Sequence, residues 1–375
     1  MNRVPQGIQR VRTRTGDPAW LVTGYDDVRR LFSDPRLGKT HRAPELAARV
    51  SRVSDLGAPT ASVETERADH RRMRYALSHA FSARRMAAIQ PRVEELASRL
   101  VDELLASPRP ADLHAAFSFP LPALVIAELL GVPGEDRDRF RRWSEDMAHV
   151  ADPQRVRAGT AGLRDYLAAA VAAKRADPGE DVLSDLVADD AVPDEDVVGI
   201  ASALVIAGHV TTAGAIDKGV ILFSRHREVW DALRRDPSVI PAAVEEVLRA
   251  LSPTDMGADH AGGRIRYANQ AFELHGVTIE EGDMVLLGNH AANQDERVFE
   301  HPDVFDIGRA DNPHLTFAHG PYYCIGAPLA RIELRVAFEL LSRRAPALRL
   351  AVPAEELRRR DDLLIGKLVE VPVTW

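Results

Sequence analysis

Cys324 is the only cysteine in a chain of 375 residues. It lies in HLTFAHGPYYCIGAPLAR, residues 314–331, with Phe317 ahead of it and Gly320 and Gly326 on either side. A thiolate is a nucleophile or a metal ligand. A zinc site would use further cysteines or histidines at short spacing. There is no second cysteine, and His314 and His319 do not form such a pattern. A nucleophile would need a partner base, which the sequence leaves open. A third chemistry is axial ligation of haem iron. Glycines let a backbone pass close to a flat ligand and turn beneath it. The helical pattern after Gly326 would point its positive N-terminal end at the sulfur. The bland alternative is a cysteine that merely fills a core.

Other residues could serve carboxylates or dioxygen. His70 and Arg74 in ERADHRRMR stand four apart, on one face of a helix. Arg266 in RIRYA and His314 are further cationic or hydrogen-bonding candidates. Singly, each reads equally well as a solvated surface group. Glu246 and Arg249 in EEVLR are three apart, as in any exposed helical ion pair. The stretch AGHVTT puts Ala207, Gly208 and Thr211 in the middle of a long apolar helical pattern. Ala207 and Gly208 leave room beside the helix. A mid-helix threonine ordinarily bonds back to the carbonyl four residues earlier.

These residues must be positioned by a mostly helical chain. Helical patterns cover about 66–80, 83–106, 122–130, 134–150, 155–178, 194–225 and 241–251, and another follows Gly326. Asp194 is the expected N-cap of the longest. A short helix is expected near 26–32, and strands near 20–23, in FELHGVTI, in MVLLGN and in the C-terminal DLLIGKLVEVPVTW. No repeat, linker or low-complexity tract divides the chain, so one large domain over 1–375 is expected. Lys and Arg number 48 against 56 Asp and Glu, a net charge of −8, which disfavours nucleic-acid binding. The amino terminus lacks the apolar core of a signal peptide. No apolar run approaches the ~20 residues of a membrane span. One cysteine makes no internal disulfide. A cytoplasmic protein is expected.

The segment Phe317-x-x-Gly320-x-x-x-Cys324-x-Gly326-x-x-Leu329-Ala330-Arg331 resembles the haem-binding loop of the soluble bacterial cytochromes P-450. The resemblance continues in order from about Gly16 to Trp375. It implies a triangular prism of helices around haem b, with a small β region and no fused reductase. It implies that Cys324 ligates the iron. It implies that His70, Arg74, Arg266 and His314 contact the haem propionates, with Ala207 and Gly208 beside the ring. Glu246, Arg249 and Arg309 would form a buried network holding the loop. Thr211 would lie in a widened helical turn and help deliver protons to dioxygen. The sequence departs from the family in three places. Val210 stands where most members have an acid, Ala318 where glycine is usual, and Tyr322 where many bacterial members have histidine.

The implied activity is monooxygenation of a small organic molecule with O2. Electrons would come from NAD(P)H through a separate reductase and ferredoxin. Tailoring of a bacterial secondary metabolite follows by analogy with similar members. A substrate carried on a carrier protein and a monomeric state belong to the same expectation, as does the absence of nucleic-acid or membrane partners. Arg71, Arg72, Arg84 and Arg85 would form a basic patch for an acidic ferredoxin. The substrate pocket would draw on 50–65, 147–178, 204–207, 254–262 and 364–365. Val210 keeps open a haem protein that binds or presents a ligand without oxygenating it. A cysteine hydrolase is a further alternative, though it explains none of the four propionate positions. With the acid missing, Asp255, Asp259, His209 or the substrate itself would have to carry the proton path.

Overall fold

The computed structural model describes residues 7–51, 62–147, 152–189, 192–251, 263–359 and 368–375. In chain order the first elements are β1 (Ile8–Arg12), β2 (Pro18–Val22), α1 (Tyr25–Leu31), β3 (Leu37–Gly38), α2 (Glu66–Ser78), α3 (Ala83–Ala106) and β4 (Ala111–Asp112). After a π-helical turn over His114–Ser118 come α4 (Pro120–Leu129), α5 (Arg137–Met147), α6 (Pro153–Ala176), α7 (Val182–Val187), α8 (Asp194–Arg225), α9 (Arg227–Arg235) and α10 (Ile240–Arg249). The chain then forms β5 (Arg264–Ala268), β6 (Phe272–Leu274), β7 (Val277–Ile279), β8 (Met284–Leu287), α11 (Asn289–Ala292), α12 (Ala327–Arg344), β9 (Arg349–Leu350) and β10 (Pro372–Thr374). It is mostly α with a small β region, as the sequence led one to expect. It falls into two compact units, Met1–Arg71 with Glu245–Cys324, and Arg72–Val244 with Ile325–Trp375.

The first unit is built on a sheet of order β1-β2-β8-β5-β3, in which only β2 and β8 run parallel. One core joins Val22, Tyr25, Val28, Leu31 and Phe32 to Phe272, Ile279, Val285, Leu287 and Phe299. Another gathers Leu21, Tyr267, Met284 and Leu286, with Ile265 packed against it. In β5, Ile265 and Tyr267 therefore serve that core, and strand alternation puts Arg264 and Arg266 on the opposite face. The stretch FELHGVTI folds as a hairpin, pairing Leu274 with Val277. Its two loop residues, His275 and Gly276, both have positive φ, 50° and 75°, as the tightest hairpins require.

The second unit is helical around α8, which packs against α4, α6 and α12. Gly219 allows the approach of α12, since a Cβ there would lie 2.2 Å from Phe338 Cζ. Phe338 in turn meets Phe223 edge-on at 5.0 Å between ring centres. α3 buries Val93, Leu96, Ala97, Leu100, Val101 and Leu104 at helical spacing, and Ser82 caps it by accepting from Arg85 N. Asp194 is not the cap of α8. Pro193 precedes the helix in an extended conformation, and Asp194, Glu195 and Asp196 fill the first turn, where acids favour the helix dipole. Contrary to the reading of the apolar runs, α8 is long and apolar enough to cross a membrane, with mean hydropathy 1.7 over its most apolar window. Half of that window is buried inside the protein, as in a core helix.

Candidate functional site

The loop bearing Cys324 belongs to the first unit and closes on itself. Cys324 N donates to Phe317 O at 2.8 Å, and Ala318 N to Leu315 O at 2.9 Å. Phe317 is buried, and the cysteine is free and exposed. Two residues turn the loop through the left-handed region, Ala318 at φ 63° and Gly320 at φ 64°. A Cβ on Gly320 would also lie 2.0 Å from Ser33 Oγ, so any other residue would have to displace that side chain. Ala318 occupies its position at a cost of roughly 1–2 kcal/mol. This is the physical meaning of its departure from the usual glycine. Gly326 directly precedes α12 in the chain.

The loop is anchored by a buried network. Arg249 and Glu246 are each about 1% exposed at the side chain and pair bidentately, Nη2 to Oε1 at 2.7 Å and Nε to Oε2 at 2.8 Å. Glu246 also accepts from Arg309 Nε at 3.3 Å, Asn312 Nδ2 at 3.1 Å and Asp306 N at 3.0 Å. Arg249 donates to the carbonyls of Asn293, Pro302 and Val304. Asn293 then accepts from Leu315 N at 2.7 Å and donates to Thr316 Oγ1 at 2.9 Å. The hydrogen bonds thus run from α10 to the residues just before Phe317. Asn293 and Thr316 are links that the sequence reading missed.

A cationic cluster lies on the Tyr322 side of the same unit. The guanidinium of Arg266 stands 4.7 Å from the Tyr322 ring centre and 5.8 Å from that of Phe32. Lys39 Nζ is 5.7 Å from the Tyr322 ring, and the His70 ring is 4.5 Å from it. Tyr322 OH donates to Glu66 Oε1 at 3.1 Å. Glu66 also accepts from the backbone of Lys39 and Thr40 and from the Thr40 hydroxyl. Burial opposes its charge, but these hydrogen bonds prevail and hold its carboxyl below the usual range. Burial, then Glu66, raises the Tyr322 phenol. Lys39 keeps accessible surface although protein crowds it. That crowding, with Arg266 and Arg264, lowers it to about 8 against the opposing pull of Glu66. Tyr322, read from the sequence as a moderate substitution, is the centre of this cluster.

His314 is engaged rather than free. Its Nε2 donates to Glu245 Oε2 at 3.1 Å, and its Nδ1 accepts from Thr316 N. His70 and Arg74 share α2 four residues apart. Of the expected basic patch, Arg71, Arg72 and Arg84 are exposed. Arg85 does not join them, because its guanidinium pairs with Asp185 and donates to Glu180 O. Asp255, Asp259 and His260, the stretch 254–262 and residues 364–365 lie outside the described residues.

In the second unit α8 is α-helical throughout, and the widened turn implied at Thr211 is absent. Thr211 Oγ1 instead donates to Ala207 O at 2.7 Å, the ordinary bond of a mid-helix threonine. Ala203 and Ala207 are exposed and Thr211 half-buried, forming an accessible stripe at four-residue spacing along the helix. Gly208 faces α4, where a Cβ would come within 3.2 Å of Ile126 Cδ1, so its small size serves packing. Val210 is buried, at 3% exposure. His209 does not feed a proton path. Its Nε2 lies 2.9 Å from Phe119 O, which only accepts, so that nitrogen carries the proton and Nδ1 accepts from Ser144 Oγ at 2.6 Å. Burial lowers it to about 3, against the Phe119 bond and helped by His114 and Arg141, so it stays neutral and pins α8 to its neighbours. The sequence reading also missed the pair of His114 Nδ1 with the buried Asp217, at 2.6 Å.

An accessible thiol on a braced loop, beside cations outnumbering their carboxylates, fits an iron porphyrin with two propionates. The comparisons agree. A cytochrome P450 family profile matches residues 154–344. Pentalenolactone synthase of Streptomyces exfoliatus is 40% identical over 98% of this chain and 93% of its own length. The chain belongs to the cytochrome P450 family. It is a haem-b monooxygenase; members of this bacterial group use O2, small organic substrates and a ferredoxin with its reductase.

Nocardicin C N-oxygenase of Nocardia uniformis subsp. tsuyamanensis is 38% identical over 100% of this chain and 94% of its own. A substrate-free pimaricin epoxidase structure superposes with TM-score 0.87 at 39% identity, covering 99% of this chain and 93% of that one. The hydroxylase of the leinamycin pathway of Streptomyces atroolivaceus gives 0.88 at 37% identity, covering 100% and 94%.

Proposed function

We propose that this monooxygenase tailors a bacterial secondary metabolite, by hydroxylation, epoxidation or oxidative coupling, in the cytoplasm and as a monomer. Cys324 is its axial ligand. The observation that carries this is the exposed thiol on a loop closed by the Cys324–Phe317 bond and braced through Asn293 to the Glu246–Arg249–Arg309 network. Haem b, when bound, supplies the activation of dioxygen that no side chain provides. Arg266 and His70, clustered on Tyr322, together with Arg74, hold its propionates, and His314 joins them by exchanging its bond to Glu245 for one to a propionate. Thr211, with a hydroxyl on the accessible stripe of α8, passes protons toward dioxygen. That role requires it to exchange its bond with Ala207 for one to water or substrate. Val210 cannot carry a proton and His209 is fixed as neutral, so the substrate completes the proton path. Electrons come through a ferredoxin docking near Arg71, Arg72 and Arg84. The substrate reaches the site free or tethered to a carrier protein.

The relatives' named reactions support this reading: nocardicin C N-oxygenation, mycinamicin IV hydroxylation and epoxidation, and pimaricin epoxidation. The test is reconstitution with a ferredoxin, its reductase and NADPH under isotopically labelled dioxygen, against a panel of macrolides, terpenoids and carrier-bound aminoacyl compounds. A product carrying the label, or a coupled product formed with matching NADPH use, is expected. Haem reduction without product from any panel member would favour the binding or presenting protein instead.

A further inference from the structure

We infer that Arg264 is a carboxylate receptor on the Cys324 side of the first unit. This rests on the assignment of Cys324 as the haem ligand.

Arg264 begins β5, opposite Leu287 of β8, and Arg266 lies two residues on, opposite Val285. The two arginines share a strand face, while Ile265 between them packs into the core behind. Their surroundings differ. Arg266 is buried, stacked on Tyr322 and Phe32, and donates to Ile265 O. Arg264 is exposed, and its guanidinium has no hydrogen bond or ion pair among the described residues. Protein nevertheless crowds that guanidinium, which lowers its pKa, and Cys324 opposes the shift.

The local charges do not balance. Lys39, Arg264 and Arg266 act on one another, and Glu66 is the carboxylate among them. Glu66 is already engaged by the backbone of Lys39, by Thr40 and by Tyr322. Arg264 is thus a planar, permanently charged donor with five N–H groups and no acceptor among the described residues, on the side of the residue assigned as the iron's ligand. Such a group binds a carboxylate through two parallel hydrogen bonds. The carboxylate could belong to a haem propionate or to the organic substrate. The resemblance implies propionate contacts at His70, Arg74, Arg266 and His314; Arg264 is additional to them.

The test uses haem-loaded wild type, Arg264→Leu and Arg264→Lys. Each is first checked for the thiolate-type spectrum of the reduced CO complex. Loss of that spectrum in wild type would defeat the assignment of Cys324 rather than that of Arg264. Hexanoate, dodecanoate and phenylacetate are then titrated against the matching alcohols by difference spectroscopy. Haem release to apomyoglobin is timed for each variant. If the substrate supplies the carboxylate, wild type prefers at least one acid by about tenfold or more, Arg264→Leu erases the preference and Arg264→Lys restores part of it. If a propionate supplies it, haem release from Arg264→Leu quickens several-fold while acid and alcohol stay alike. No acid preference in wild type, together with unchanged haem release in Arg264→Leu, overturns the inference.

Discussion

Replacing Arg249 with methionine removes the centre of the network behind the haem loop. The variant loses both bonds to Glu246 and the bonds to the carbonyls of Asn293, Pro302 and Val304. Breaking a buried ion pair from one side costs about 3–5 kcal/mol, because the remaining charge is stranded. Glu246 is not wholly stranded here, since Arg309, Asn312 and the Asp306 amide still reach it. The cost should therefore fall near the lower bound, about 3 kcal/mol. Arg309→Met removes a single 3.3 Å contact to Glu246, with bonds to carbonyls near the surface, and should cost about 1–2 kcal/mol. Urea unfolding of the two variants and wild type, compared at constant slope, measures both. Arg249→Met should also release haem faster, because the Asn293 bonds to Leu315 and Thr316 lose their support. A cost for Arg249→Met equal to or below that for Arg309→Met would refute the reasoning.

Two further outcomes follow from single residues. Glu66 titrates below its unfolded value, so its contribution is fully present above about pH 5 and fades as pH falls through the folded pKa, below about 4.3. The stability difference between wild type and Glu66→Gln should be constant from pH 5.5 to 7 and shrink below pH 4.5; a difference that grows on acidification contradicts the bracket described for Glu66. Thr211→Ala should leave the reduced CO spectrum intact and lower product formed per NADPH consumed by roughly 10²-fold at most, the low end for a positioned proton donor; unchanged coupling would return Thr211 to a purely helical role.

The helices were legible because their apolar periods are long. α3 and α8 follow the expected spans, whereas α9 and β1 were not read from the sequence. β5 was missed as well, since RIRYA carries two arginines on its face away from the core and so lacks a simple apolar alternation. The site was legible where a short motif fixes a geometry, as at Glu246 and Arg249. It was illegible where function arises between distant segments. Nothing local in the sequence says that Glu66 and Lys39 meet Tyr322, or that Asn293 holds Thr316. His209 looked like a proton carrier from its position beside Val210, and only its burial against Ser144 and Phe119 shows that it is a pin. Thr211 shows the opposite limit: the resemblance implied a distorted turn, and the helix is regular.

The central claim is that the Cys324 thiolate ligates haem iron, and the spectrum of the reduced, CO-bound protein tests it most directly. Wild type should give the red-shifted Soret band of a thiolate-ligated haem, and Cys324→Ser should lose that band while retaining haem by extraction. Persistence of the band in Cys324→Ser, or its absence from correctly folded, haem-loaded wild type, would contradict the account.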